Sequence, residues 1–321
     1  MRPLKLFSLD TGADFARRVA TALGVPLAAH EERDFVDGEH KLRPLDDVEG
    51  ADVYLVQSLF TDPASSVDDK LVRLLFLVGA LKDAGAARVT AVIPYLCYAR
   101  KDRRTKLHDP LSSRYLASLF ESLGTDCVVT LDVHNLAAFE NAFRIRTLHL
   151  PAQPLFVDFV VERLQGDGNP LVVASPDVGG VKRAEAFRQA LGERLGCAVG
   201  RAFVEKYRSA GELSGGVLVG DVRGASVVIV DDLIAGGGTI TRATQAVQRG
   251  GAARIFALAS HGQFCGNALV DLAQLPLEAL AVTNSLPQPA GARLQVVDCA
   301  PLLAEAIRRL HSGGPATQLS V

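Results

Sequence analysis

Short apolar runs alternate with amphipathic segments along almost the whole chain. Residues 4–9, 52–57, 89–93 and 127–131 are nearly continuous apolar stretches and predict buried strands. Between them, apolar positions recur at three- and four-residue spacing, first at Phe15, Val19 and Leu23, then at Leu71, Leu74, Leu75, Val78 and Leu81. That spacing predicts helices over 14–23, 68–84 and 111–123. Acids open the second of these helices and Gly85 stands just past its end, which suits the helix dipole and a glycine stop. A second set follows, with strands expected at 171–175, 198–204, 226–230, 254–260, 280–282 and 296–297. Its helices are expected at 181–195, from Thr239 onward, and at 300–311, whereas the glycine-bearing 209–216 reads as a mobile loop. Repeated strand–loop–helix units predict an α/β fold with mostly parallel sheets flanked by helices. The change of set near Pro151 and Pro154 divides the chain into an N-terminal domain over 1–150 and a C-terminal domain over 151–300. A terminal helix and tail over 301–321 are expected to pack back on the N-terminal domain.

Composition narrows the class without naming a function. At 321 residues the chain has room for two domains, and 48% hydrophobic content with a net charge of −2 predicts a soluble globular protein. Near-neutral charge gives no reason to expect nucleic acid. The apolar run 71–81 is interrupted by Arg73 and Gly79, and no membrane partner is expected. The first residues lack the apolar core of a signal peptide, and the five scattered cysteines read as buried free thiols, so a reducing cytoplasm is expected.

The chemistry gathers where strands should end. Residues 226–230 lead to two adjacent carboxylates, Asp231 and Asp232, then through Ala235 to the glycine triplet Gly236, Gly237 and Gly238, and to Thr239 at a helix start. A strand, a glycine turn and a helix N-terminus form an anion cradle, because free amides and the helix dipole face the same way. Acids beside such a cradle suit the hydroxyls of a sugar phosphate; a tight turn after a core strand is the plainer reading. Past the strand 89–93 lies a basic loop with Arg100, Lys101, Asp102, Arg103 and Arg104, suited to a polyphosphate and to stacking on a base, or simply to solvent. Asp132 and His134 end another strand, and Asp177 precedes a second glycine turn. Lys206 and Arg208 precede the 209–216 segment, where they either close over phosphates or serve as surface charge. No G-x-S-x-G, H-E-x-x-H or Walker A motif is present. What remains suits phosphoryl chemistry, in which positioning and charge neutralisation do most of the catalysis.

In this order the motifs resemble those of the ribose-phosphate pyrophosphokinase (phosphoribosyl pyrophosphate synthetase) family. The likeness runs through Phe35 to Glu39, Asp52 to Ser58, Val92 to Tyr95, Tyr98 to Arg100, Asp132 to His134 and Ser175 to Gly180. It continues through Lys206 to Arg208, Asp231–Asp232, Ser260 to Gly262, Val282 to Asn284 and the helix 302–310. It implies two tandem type I phosphoribosyltransferase-like domains. It implies transfer of the β,γ-diphosphoryl group of ATP to the 1-hydroxyl of ribose 5-phosphate, with AMP released. By position, Phe35, Asp37 and Glu39 would reach the adenine, with Phe35 coming from a neighbouring subunit of a homo-oligomer, a hexamer in the family. Arg100, Lys101 and Asp102 would serve ATP, with Lys101 where glutamine is common. His134 and Asp177 would hold the Mg²⁺–ATP phosphates. Asp231 and Asp232 would hold the ribose hydroxyls, the loop 235–239 the 5-phosphate, and Lys206 and Arg208 the charge on the transferred and leaving groups.

Two departures stand out. The family's sugar-phosphate loop reads Asp-Thr before the glycines, where this chain has Ala235 and Gly236. The lost hydroxyl bond to a charged group is worth roughly 1.5–3 kcal/mol, so weaker ribose 5-phosphate binding is expected rather than inactivity. The family's allosteric phosphate/ADP loop carries serine and arginine, where this chain has Lys106-Leu-His-Asp109; weakened ADP inhibition and phosphate activation are expected. Two other functions remain open at this point: a non-catalytic regulatory subunit, and a phosphoribosyltransferase acting on a base. The presence of both the donor-side and the sugar-side residues favours the diphosphokinase.

Overall fold

The computed structural model describes residues 2–209, 212–289, 294–315 and 319, with the side chains of 206–209 and 212–215 outside the description. The chain forms two compact units. One contains Met1–Pro151, Ser285–Pro287 and Cys299–Val321; the other contains Ala152–Asn284 and Gln288–Asp298.

In the first unit β1 (Leu4–Phe7) passes through a tight 3-10 turn at Asp10–Gly12 into α1 (Ala13–Leu23). A hairpin of β2 (His30–Asp34) and β3 (His40–Pro44) follows, then β4 (Asp52–Val56), α2 (Val67–Asp83) and β5 (Arg88–Ile93). The unit continues with α3 (Ser112–Ser122), β6 (Cys127–Leu131), α4 (Leu136–Ala142) and β7 (Arg146–Leu150). The main sheet has the order β1-β4-β5-β6-β7, parallel throughout. Its central strands β4 and β6 are buried along their full length, as their unbroken apolar sequences predict. Helix α2 starts at a capping box, with Ser66 and Asp69 satisfying each other's backbone amides, and buries the predicted stripe of Leu71, Leu74, Leu75, Val78 and Leu81. The sequence pattern contains no signal for the β2–β3 hairpin, because its strands are polar and half-exposed.

In the second unit α5 (Gln153–Arg163) precedes β8 (Leu171–Ser175), α6 (Val181–Leu195), β9 (Gly200–Ser209) and β10 (Glu212–Val219). Then come β11 (Ser226–Ile234), α7 (Gly238–Arg249), β12 (Arg254–Gly262), α8 (Ala268–Ala273), β13 (Ala279–Thr283) and β14 (Leu294–Val297). The sheet order is β10-β9-β8-β11-β12-β13-β14, parallel except for the antiparallel β9–β10 pair. Two expectations change here. The segment 209–216 is not a loop outside the sheet: apart from 210 and 211, which lie outside the described residues, it belongs to β9 and β10. Cross-strand pairing along β9 outweighs the poor strand propensity of its glycines. Strand β11 also runs to Ile234 rather than stopping at Val230, so Asp231 and Asp232 lie within the strand. Pairing of Leu233 and Ile234 with His261 and Gly262 of β12 extends it.

The chain then returns to the first unit through α9 (Ala300–Ser312), which packs against α1. Arg88 joins that return to the sheet by donating to the buried Asp52 carboxylate, to the Tyr54 hydroxyl at 2.9 Å and to the Leu310 carbonyl at 3.1 Å. His311 Nδ1 lies 2.7 Å from the same Asp52 carboxylate. Among the cysteines, Cys97, Cys127 and Cys299 are buried as expected, whereas Cys197 and Cys265 lie exposed in loops that follow α6 and β12. Among the described residues no helix is long and apolar enough to cross a membrane.

Candidate active site

Parallel pairing brings the chemically distinctive residues of the second unit to one sheet edge. Strands β8 and β11 run side by side up to Ala174 opposite Ile229, so the segment that leaves β8 lies beside the continuing part of β11 that carries the acids. Asp177 follows β8 and caps a short 3-10 turn over Val178–Gly180, its Oδ1 accepting the Gly180 amide at 3.1 Å. Ser175 donates to the Asp177 carbonyl at 2.6 Å, and a Cβ on Gly180 would lie only 2.8 Å from the Ser175 hydroxyl oxygen. The glycine is therefore a packing requirement of the turn.

Arg183, in the first turn of α6, reaches back to the acids of β11. Its Nη1 lies 3.1 Å from Asp232 Oδ1 and 3.6 Å from Asp231 Oδ1. Burial pushes the Asp231 carboxyl up to about 8, and the adjacent Asp232 charge pushes in the same direction, against the pull of Arg183. A carboxyl that keeps its proton beside an acceptor makes a donor–acceptor pair, suited to neighbouring sugar hydroxyls. Arg183 has no place in the sequence-based site. Its position one turn after the Asp177 glycine turn is the signal that would have drawn attention to it.

The strand, glycine turn and helix start expected here are present. Gly237 caps α7 with φ at 75°, a left-handed conformation in which glycine is favoured, and the helix begins at Gly238. Ala235 is half-buried and held by its carbonyl, which accepts the Cys265 amide at 2.9 Å. Thr239 lies in the first turn, with its hydroxyl 3.4 Å from Arg242 Nη2. Gly236 is exposed, and a Cβ there would meet open space. The side chains of Lys206 and Arg208 lie outside the described residues; their backbone is part of β9.

In the first unit the loop after β5 and the turn after β6 come together. Tyr98 opens the loop with φ at 56° and donates to Asp68 at the start of α2. The Asp68 charge and burial raise that phenol to about 12, with the hydrogen bond to Asp68 the largest cause. Asp102 accepts from Asn135 Nδ2 at 2.6 Å, which links the basic loop to the turn carrying His134. Arg100 and His134 are exposed. Lys101 is engaged within its own loop, 2.6 Å from Asp109 Oδ2. The same carboxylate oxygen accepts the Thr105 and Lys106 amides, each at 2.9 Å, and the Thr105 hydroxyl at 2.7 Å. Lys101 and Thr105 hold the Asp109 carboxyl well below its usual range. Phe35, Asp37 and Glu39 form the exposed tip of the β2–β3 hairpin. The tip is closed by the Phe35 amide on the Glu39 carbonyl at 2.8 Å and the Glu39 amide on Asp37 Oδ1 at 3.2 Å. Among the described residues no hydrogen bond or ion pair joins that tip to the basic loop.

Asp231 generates a pH prediction. Its raised value means that the folded state holds a proton the unfolded state has lost, so its contribution to stability falls as pH rises between about 4 and about 8. In the ligand-free protein, Asp231→Asn is expected to flatten the stability–pH curve over that window. Denaturation midpoints at several pH values check it; parallel curves for the two proteins would contradict the burial argument.

Comparison with known proteins completes the description. Residues 4–124 match the family model described as the N-terminal domain of ribose phosphate pyrophosphokinase, and residues 208–320 match that of the phosphoribosyl synthetase-associated domain. The chain is 34% identical over 320 residues to a ribose-phosphate pyrophosphokinase of Clostridium perfringens, covering 98% of this chain and 97% of the relative. It is 35% identical, with the same coverage, to one from Caldanaerobacter subterraneus. The crystal structure of phosphoribosylpyrophosphate synthetase from Mycobacterium smegmatis aligns with a TM-score of 0.89 at 33% identity, covering 98% of this chain and 100% of that one.

Proposed function

The chain belongs to the ribose-phosphate pyrophosphokinase family, and we propose that it transfers the β,γ-diphosphoryl group of ATP to the 1-hydroxyl of ribose 5-phosphate. The observation that carries this reading is the joint presence of an acid pair held by Arg183 and a glycine cradle at the edge of one sheet. The pair binds the ribose hydroxyls through Asp231 and Asp232. The amides of Ala235, Gly236, Gly237, Gly238 and Thr239, with the Thr239 hydroxyl, bind the 5-phosphate at the positive end of α7.

On the donor side, Phe35, Asp37 and Glu39 recognise adenine from the hairpin tip, which suits contribution by a neighbouring subunit of a homo-oligomer because the tip is exposed. Arg100 stacks on the base, and Lys101 and Asp102 position the loop. The reaction is an in-line displacement: the ribose 1-hydroxyl oxygen forms a bond to the β-phosphorus and releases its proton to solvent, the bond from that phosphorus to the α,β-bridging oxygen breaks, and AMP departs with the oxygen. Lys206 and Arg208 neutralise charge on the transferred and departing groups.

His134 and Asp177 are the residues assigned to Mg²⁺ and the ATP phosphates. The half-buried Asp177 carboxylate, with phosphate oxygens and water completing the shell, fits the sparse oxygen ligation that Mg²⁺ takes with nucleotides, and the exposed His134 imidazole suits the phosphate oxygens. When bound, the ion supplies neutralisation of triphosphate charge. A cytoplasmic location, close to cellular ATP and sugar phosphates, accords with this chemistry.

The decisive assay supplies ribose 5-phosphate and Mg²⁺–ATP and follows AMP. Lys206→Ala is expected to lower kcat by about a hundredfold or more while ATP affinity changes little, in line with loss of a group acting on transition-state charge. Absence of AMP formation by the wild-type protein would reject the activity, and an unchanged kcat would reject the role of Lys206.

A second test concerns the sugar-phosphate loop. Open space beside Gly236 accepts a side chain, so Gly236→Thr should add one hydroxyl bond to the phosphate. A bond to a charged acceptor is worth roughly 1.5–3 kcal/mol, and the KM for ribose 5-phosphate should fall by about tenfold. An unchanged KM would mean that the backbone amides already saturate the phosphate.

The loop 101–109 supports weakened regulation by phosphate. Its amides at 105 and 106, with Lys101, are already turned on the Asp109 carboxylate. Initial rates with and without added inorganic phosphate should therefore agree within about twofold, whereas Asp109→Ala should introduce a response by opening that amide nest to a free anion. Strong phosphate dependence in the wild-type chain would contradict the assignment.

A further inference from the structure

The geometry points to a divalent transition-metal site formed by Asp10, His30 and Glu32, away from the residues assigned to catalysis. Asp10 opens the 3-10 turn after β1, and His30 and Glu32 stand two residues apart on β2, hence on one face of the strand. One donor atom from each of the three lies within 4.8 Å of the others. His30 Nε2 is 3.5 Å from Glu32 Oε2 and 3.7 Å from Asp10 Oδ1. Two ligands bound at about 2.1 Å to a tetrahedral ion lie roughly 3.4 Å apart, so only small side-chain movements are needed to place an ion among them.

The independent observation is His30 itself. Its side chain is 9% exposed, and Nε2 is buried without a hydrogen-bond partner while aimed at two carboxylates. Such an orphaned nitrogen costs free energy unless something fills the space. The rest of the site is already braced. Glu32 Oε2 accepts the Asp10 amide at 3.0 Å, and Oε1 is held by Arg73 at 3.1 Å. Arg73 also pairs with Asp34 at 2.6 Å, so its charge is divided between Glu32 and Asp34, and the Asp10 carboxylate keeps its full charge for an ion. Asp10 is exposed enough to rotate onto the ion, with 73% of its side chain accessible. One imidazole nitrogen with two carboxylates suits Zn²⁺ and its first-row neighbours better than Mg²⁺, which disfavours nitrogen ligands. A bound ion would fasten the base of the β2–β3 hairpin to the end of β1. Any consequence for adenine recognition rests on the proposed function; occupancy of the site does not.

The test titrates the full-length protein with Zn²⁺ in excess Mg²⁺, so that hard-cation sites are filled beforehand, and counts the bound zinc per chain. One zinc per chain is expected in the wild type. Asp10→Asn and His30→Gln should each weaken its affinity by about tenfold or more. With Co²⁺ in place of Zn²⁺, the wild type should show a visible ligand-field absorption that His30→Gln abolishes. Asp10→Asn keeps the test informative if the buried histidine variant does not fold. Either no stoichiometric zinc in the wild type or wild-type affinity in Asp10→Asn would overturn the site and leave His30 as one member of an imidazole–carboxylate cluster.

Discussion

Keeping two adjacent carboxylates inside the largely buried strand β11 is the constraint on which the proposed sugar site depends. Burial and mutual repulsion both oppose ionisation of Asp231, and the guanidinium of Arg183 offsets them only in part. Arg183 is placed to do so because α6 starts immediately after the Asp177 turn, a turn in which a Cβ at residue 180 would meet the Ser175 hydroxyl oxygen at 2.8 Å. The chain of dependence therefore runs from a missing side chain, through the start of a helix, to the protonation state of the residue assigned to the sugar.

The donor-side loop in the first unit follows a different logic. Lys101 and the amides of Thr105 and Lys106 are satisfied from within the loop, by Asp109, and its attachment to the turn after β6 runs through Asp102 and Asn135. A nucleotide phosphate approaching Lys101 must compete with a carboxylate already in place. Exchanging one anion for another gives little net binding, so Lys101 acts in the proposed function chiefly by orienting the loop. Arg100, exposed on the same loop, is the better candidate for direct contact with the base.

Much of the fold was legible because its strands are buried on both faces. Continuous apolar runs such as 127–131 leave few alternatives, and the stripe on α2 carries its own start and stop signals. The failures have a common cause in long-range pairing. Strands β2 and β3 are polar, and β10 contains two glycines; their strand character comes from cross-strand hydrogen bonds that no local window contains. The acid pair and the glycine cradle were readable because each is contiguous in sequence. Arg183 and the His30 cluster were not, since their significance arises only when separate segments meet. The Asp109 nest escaped notice because its partners are close in sequence yet converge only through the path of the loop.

Gly236 separates what geometry demands from what the chain merely contains. Gly237 has a left-handed backbone and sits 3.3 Å from Leu272 at its virtual Cβ, so it is constrained twice over. Gly236 has neither constraint: its backbone is ordinary and its Cβ direction is open. Absence of a hydroxyl at this position is therefore not imposed by packing. A phosphate at the start of α7 would be held by amides and the helix dipole, both of which belong to the backbone and survive a change of side chain. In the proposed function, a departure from the family pattern at 236 therefore changes the strength of phosphate binding and not the kind of chemistry.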